Sequence, residues 1–392
     1  MRLLKNKIIY LDNNASTPLA SEVAESMTAC LRSCFGNPSS GHPYGQAART
    51  AVETARKQVA RLINAHSGEL IFTSGGTEAN NMAIFGTALR YKPGHIISSC
   101  VEHPSVTNPL KHLECLGFKI DYVPVDRYGI VDPDAVKKLV RRNTILITVM
   151  HSNNETGSIQ PIAEIGKIAA TAGIVFHCDA AQSVGKVPVN VKKLNVDLLT
   201  VVSHKFHGPK GIGALYIKEG TVLKPLLFGA SHERGLRPGT ENVCSVAGLG
   251  RASELAKKEM GKRVNRMKEL SAILYKDLLR GIPGIKLNGH PSKRLPNTLN
   301  ISFPGIQGHI LLARLRNEIA ASTGSACHEG KHEPSSVLKA MGLSDKEALS
   351  AVRLSLGINN SEAHIRRAAK VIAGACRKIN QSFILRDKNS LM

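Results

Sequence analysis

The stretch Val201-Val202-Ser203-His204-Lys205-Phe206-His207-Gly208-Pro209 ends an apolar, strand-like run on a lysine. Upstream, Phe176-His177-Cys178-Asp179-Ala180-Ala181-Gln182 ends a similar run on an acid. Working outward from these two, short apolar runs alternate with longer amphipathic segments. The spacing predicts strands at 70–72, 95–99, 119–123, 145–150, 174–178, 198–202 and 212–217, and helices at 19–31, 44–63, 77–89, 133–140 and 161–172. Strands that are apolar throughout, separated by amphipathic helices, predict an α/β fold: a mostly parallel seven-stranded sheet flanked by helices on both faces. Beyond about residue 250 the texture changes to a long charged helix reaching about Arg280, a turn-rich stretch through Pro283 and Pro291, and a mixed segment to the terminus. A large domain over 16–255 and a smaller α+β domain from 1–15 and 256–392 are expected.

The chain has 392 residues, 42% of them hydrophobic, which suits a soluble globular protein with a large core. No run of about 18 apolar residues occurs, so membrane spanning is not expected. Its start passes directly from basic residues into Ile8-Ile9-Tyr10-Leu11 without an extended apolar region. Eight dispersed cysteines read as reduced thiols, and a cytoplasmic location is expected. Cys327, His328 and His332 lie close together but lack a matching distant pair, which argues against a metal site. The formal charge of +22 favours an anionic ligand or partner. Its clusters, such as Lys137-Lys138-Leu139-Val140-Arg141-Arg142, fall on helix-like segments without interleaved aromatics, so solvated helix faces explain them better than direct nucleic-acid binding.

A lysine amine and a carboxylate, each at the end of a strand, are what holds pyridoxal 5'-phosphate: one as a Schiff base, the other on the pyridine nitrogen. The phosphate end is read from Phe72-Thr73-Ser74-Gly75-Gly76-Thr77-Glu78-Ala79-Asn80, a strand, a glycine turn and a helix start whose unpaired N–H groups face an anion. The Lys-Ser/Thr end of a nucleotide P-loop is absent there. By itself the turn is a weak signal that reads more readily as a simple helix start; with Asp179 and Lys205 at later strand ends it becomes one pocket, since open α/β sheets bind at their carboxyl edge.

Ten ordered pieces carry a family resemblance over nearly the whole chain: 10–18, 35–40, 72–80, 101–103, 153–157, 179–182, His204-Lys205, Arg237-Pro238-Gly239-Thr240-Glu241-Asn242, Ser325-Ala326-Cys327 and Arg353-Leu354-Ser355-Leu356-Gly357. The chain resembles the cysteine desulfurases of the NifS/IscS type and the related selenocysteine lyases, within fold type I of the pyridoxal phosphate enzymes. The resemblance implies that Lys205 holds the cofactor, Asp179 pairs with its ring nitrogen, His103 stacks on the ring and serves as acid/base, and Gln182 bonds the phenolic oxygen. It further implies phosphate contacts from Gly76, Thr77 and His204, with Thr240 contributed across a homodimer. Arg353, assisted by Asn154, would clamp the carboxylate of L-cysteine. The family often has serine where this chain has Val202, and Ser203 is the candidate replacement.

The resemblance further implies that Cys327 is the nucleophile, taking sulfur from L-cysteine as a persulfide, leaving L-alanine, and passing the sulfur to an acceptor protein such as an iron-sulfur scaffold or a thiolation enzyme. Its surroundings, Ala321 to Gly330, are small and polar and read as a loop. His328 beside it is either a thiol-activating neighbour or a passive surface residue. Two other readings stand: a selenocysteine lyase using the same pocket, and a basic nucleic-acid-binding scaffold without chemistry.

Overall fold

The computed structural model describes residues 8–323 and 333–389, with side chains to residue 381. The chain opens with β1 (Ile9–Tyr10), α1 (Ser21–Ser33) and α2 (Pro43–Ile63). Then come β2 (Leu70–Thr73), α3 (Gly76–Ala88), β3 (His95–Ser99), α4 (Pro104–Cys115), β4 (Lys119–Val123), α5 (Pro133–Leu139), β5 (Thr144–Thr148), α6 (Ile162–Ala172), β6 (Val175–Asp179), α7 (Val191–Leu194), β7 (Leu198–Val202) and β8 (Gly213–Ile217). Each apolar run marked in the sequence becomes a strand of one seven-stranded sheet, ordered β2-β8-β7-β6-β5-β3-β4. Strands β2 to β7 share one direction, and β8 runs against both of its neighbours. Central strands such as β3 and β7 are buried at every position, as a sheet covered on both faces requires. Local chemistry sets the helix ends: Asp132 caps α5 ahead of Pro133, and α6 stops at Gly173 in the left-handed region, φ 65°.

The 39-residue helix α8 (Val243–Gly281) joins two hydrophobic cores. Its first half, to Ala256, packs with α1, α2 and the sheet; its second half, from Met267 to Leu278, packs in a separate core. That second core is completed by β9 (Lys286–Asn288), β10 (Thr298–Ser302), α9 (Gly308–Leu315), β11 (Ile319–Ala320), β12 (Ala351–Ser355) and α12 (Glu362–Asn389) or by segments beside them, whereas α10 (Ser336–Ala340) and α11 (Asp345–Leu349) pack in a smaller cluster with Val101. Strands β12, β10 and β9 form an antiparallel sheet, while β1 pairs in parallel with β11 and brings Ile9 and Leu11 into this core. Among the described residues, no helix is long and apolar enough to cross a membrane.

Leu274 lies on the inner face of α8 and is fully buried in the second core. Leu274→Ala is expected to cost about 2–5 kcal/mol by cavity formation. The cost is read as a lowered urea midpoint, and an unchanged midpoint would show that α8 does not support this core.

Candidate active site

Strands β2, β3, β5, β6 and β7 end on one edge of the sheet, and a cleft of about 410 Å³ opens there. At the end of β2 the chain turns through Gly75, φ 153°, into α3. No side chain caps α3, so its first-turn N–H groups and the hydroxyl of Thr77 are left for an anion. A Cβ on Gly76 would lie 2.6 Å from Val202 Cγ2, so the helix start sits directly against the end of β7. His204 lines the same wall, with its Nδ1 3.3 Å from Ser16 Oγ. Burial, then the charges of Lys205, Lys210 and Lys186, push its imidazole down to about 4.

Asp179, at the end of β6, is buried and held from two sides. The N–H of Ala181 donates to Oδ1 at 2.9 Å, and Asn80 Nδ2 donates to Oδ2 at 2.8 Å. Asn80 is itself fixed by the hydroxyl of Thr200, which donates to Oδ1 at 2.6 Å. His103 caps α4: its Nδ1 accepts from the N–H of Ser105 at 3.1 Å, which leaves Nε2 as the protonated nitrogen of the neutral ring. Burial lowers its pKa, opposed by Asp179 and reinforced by Lys205. Neutral His103 can exchange a proton in the cleft without carrying a fixed charge.

Lys205 ends the short turn that follows β7. Its Nζ donates to the main-chain carbonyls of Asn14 at 2.8 Å and Ala15 at 2.9 Å. Burial, followed by the charge of Arg353, lowers its pKa to about 8, while Asp179 and Asp12 oppose the shift. Arg353 reaches the cleft from β12. Its Nη2 pairs with Asp12 Oδ1 at 2.8 Å and its Nη1 donates to the Asn154 carbonyl at 3.0 Å, while buried Nε has no partner among the described residues.

Gly76, Thr77, His103, Asn154, Asp179, Gln182, His204, Lys205 and Arg353 therefore surround one cleft. Ser203 is a correction. Val202 lines the cleft, whereas Ser203 is fully buried with its Oγ against Gly208, because consecutive residues leaving β7 face opposite ways. Thr240 is exposed and outside this cleft, and Cys327 lies outside the described residues. Asn14, Asn80 and Ser105 were not singled out by role. Their signal was weak, since a buried amide or hydroxyl declares itself only through partners distant in sequence.

Residues 9–367 match the family described as aminotransferase class-V. The chain belongs to the class-V aminotransferase family. It is 48% identical over 374 residues to the cysteine desulfurase IscS of Dictyoglomus turgidum, covering 95% of each chain. It is 45% identical over 387 residues to the IscS of Methanosarcina thermophila, covering 98% of this chain and 96% of the relative. A solved NifS-like protein superimposes with a TM-score of 0.88 at 36% identity, covering 94% of this chain and 98% of the other.

The cofactor of this family is pyridoxal 5'-phosphate, and the donor set fits it. An uncapped helix start suits its phosphate, a fixed carboxylate its ring nitrogen, and an amine of depressed pKa its aldehyde. Because only the neutral amine attacks an aldehyde, cofactor uptake by apoenzyme should accelerate as pH rises through about 8. A stopped-flow absorbance series checks this; a midpoint near the ordinary lysine value of 10.5 would show that the cleft does not depress Lys205.

Proposed function

We propose that this chain is a cysteine desulfurase that converts L-cysteine to L-alanine, receives the sulfur on Cys327 as a persulfide, and passes it to an acceptor protein. The single observation that carries the reading is the convergence of Lys205, Asp179 and Arg353 on one cleft from β7, β6 and β12. Bound pyridoxal 5'-phosphate supplies an electron sink conjugated to the substrate Cα. Asp179 holds its ring nitrogen and His103 covers its face. Gly76, Thr77 and His204 hold its phosphate. Arg353 receives the substrate carboxylate with Asn154 beside it, a role supported by the unpartnered Nε and by the anchoring of its other two nitrogens. Lys205 takes the Cα proton, for which a pKa near 8 suits it. The Cys327 thiolate then attacks the substrate sulfur: an S–S bond forms, the Cβ–S bond breaks, and the departing pair is protonated on the way to alanine.

The working unit is a homodimer in which Thr240 reaches the neighbouring phosphate. Supporting this, the segment before Thr240 is tied to its own subunit while Thr240 stays exposed. Glu233 accepts from Arg56 at 2.7 and 2.9 Å and from the N–H of Phe72 at 2.8 Å, and Arg237 pairs with Glu78 at 3.0 Å. Residues 16–255 form the large domain, and 1–15 with 256–392 the small one; the change of core along α8 between Ala256 and Met267 supports that division. The net charge of +22 supports an acceptor with an acidic surface, and the seven described cysteines, all free, support a cytoplasmic setting.

Cys327→Ser should retain the bound cofactor's visible absorption and lose persulfide formation, followed by mass spectrometry of the protein after L-cysteine addition. Persulfide transfer at the parental rate by this variant would overturn the nucleophile assignment. Arg353→Gln should raise KM for L-cysteine roughly 10- to 100-fold, the worth of charge-assisted hydrogen bonds. An unchanged KM would remove Arg353 from substrate binding.

A further inference from the structure

The side-chain amide of Gln182 has an accepting end and a donating end, and only one orientation serves an anionic oxygen in the cleft. Its Oε1 accepts from Lys186 Nζ at 2.7 Å, and its Nε2 donates to the main-chain carbonyl of Asn14 at 2.9 Å. Lys186 also donates to Asn14 Oδ1 at 3.1 Å. Asn14 cannot turn to suit, because it is 1% exposed and its Nδ2 donates to Thr298 Oγ1 at 2.9 Å and to the Asn154 carbonyl at 3.2 Å. Its Oδ1 additionally accepts from Asn297 Nδ2 at 3.2 Å. Lys186 thus meets acceptors only, and Gln182 satisfies it by turning Oε1 toward it. The remaining Nε2 proton is the one left for the cleft that Gln182 lines.

We propose that Lys186 is a positioning residue that fixes the Gln182 amide as a donor, and never an acceptor, toward the phenolic oxygen of the bound cofactor. The inference rests on the reading of the cleft as the cofactor site. The backbone is built for it. Gly185 has φ 79°, and a Cβ there would lie 2.5 Å from Phe206 Cβ, so the chain turns tightly against the residue after Lys205 immediately before Lys186. Lys186 and Lys205 line the same small void. Burial, then the charges of Lys205 and Arg353, push Lys186 well below the usual lysine range; Arg263 and His207 line the same void, His204 lies near, and Asp179 and Asp12 act on Lys205 from the other sign. Both Lys186 hydrogen bonds survive in the neutral amine, which keeps two N–H groups. The orientation of Gln182 therefore holds whether or not Lys186 is charged.

A donor on the phenolic oxygen shares its negative charge and weakens its hold on the proton of the neighbouring Lys205 nitrogen. Losing that donor raises the pH at which the holoenzyme's visible band changes. In purified holoenzyme without substrate, Lys186→Met and Lys186→Leu, which have no donor, should raise this transition by about one pH unit, a tenfold change in proton affinity. Lys186→Arg, which keeps the donors, should restore the parental transition. Gln182→Ala should raise it by itself, and adding Lys186→Met to Gln182→Ala should move it no further. The use of both Met and Leu covers the case in which one fails to fold. A parental transition in folded Lys186→Met or Lys186→Leu, or a full additional shift in the Gln182→Ala background, would overturn the proposal alone. An unmoved transition in Gln182→Ala would overturn it together with the placement of the cofactor's phenolic oxygen at Gln182.

Discussion

Residues 12–17 run between the two hydrophobic cores and hydrogen-bond to both, and the cleft depends on that strap. Asp12 bridges to Ser355 and pairs with Arg353, while the N–H of Asn14 donates to Ser355 Oγ at 2.9 Å. On the other side, the N–H and hydroxyl of Thr17 both donate to the carbonyl of His204 at 2.9 Å. The carbonyls of Asn14 and Ala15 receive the Lys205 amine. A lysine from the seven-stranded sheet and an arginine from the three-stranded one are thereby set in register by a single short segment. Buried hydrogen bonds of this kind contribute modestly when formed but are costly to leave unmade, which favours one relative placement of the two parts.

The cleft gathers basic groups. Lys205, Arg353, His204 and Lys186 lie close together, with Asp179 and Asp12 as the opposing carboxylates. Withdrawal from water is the largest influence on Lys205, His204 and Lys186, and mutual repulsion adds to it. An amine that is partly neutral near physiological pH and an imidazole that is neutral result from the same crowding. A doubly charged phosphate and a substrate carboxylate are the ligands such a field favours.

A buried polar layer forms one wall of the cleft. Asn80 joins Asp179, Ser105 and Thr200 at 2.6–2.8 Å, and Thr200 Oγ1 lies 3.2 Å from His177 Nε2. His177 is driven down to about 4 by burial, so the layer adds hydrogen-bonding geometry without a further positive charge. Asp179 consequently has both oxygens oriented by neutral donors rather than consumed by an ion pair.

The inner strands were legible in the residues because a strand covered on both faces is mostly apolar along its length, a local property independent of partners, while the edge strand β4 showed itself as a β-prone run, Lys119-Ile120-Asp121-Tyr122-Val123, with exposed positions. Lys205, Asp179 and the Gly75-Gly76-Thr77 turn were legible for a related reason: each lies where such a run stops, and strand ends of an open sheet collect at one edge. The reversed direction of β8 was not legible, since parallel and antiparallel neighbours differ in pairing and not in composition. Ser203 misled because adjacency in sequence to His204 says nothing about which side of the backbone a residue leaving a strand takes. Asn14 and Asn80 gained their roles from partners far along the chain, 341 residues away in the bond from the Asn14 N–H to Ser355 and 99 in that from Asn80 to Asp179, and Lys186 gained its role from Asn14, 172 residues away, as well as from Gln182 four residues before it. The sequence by itself determined which elements form and which chemical groups end them, because periodicity and turn chemistry act over a few residues. Only the tertiary structure decided how those groups are aimed, because a buried amide, amine or guanidinium takes its orientation from whatever donor or acceptor the fold brings against it.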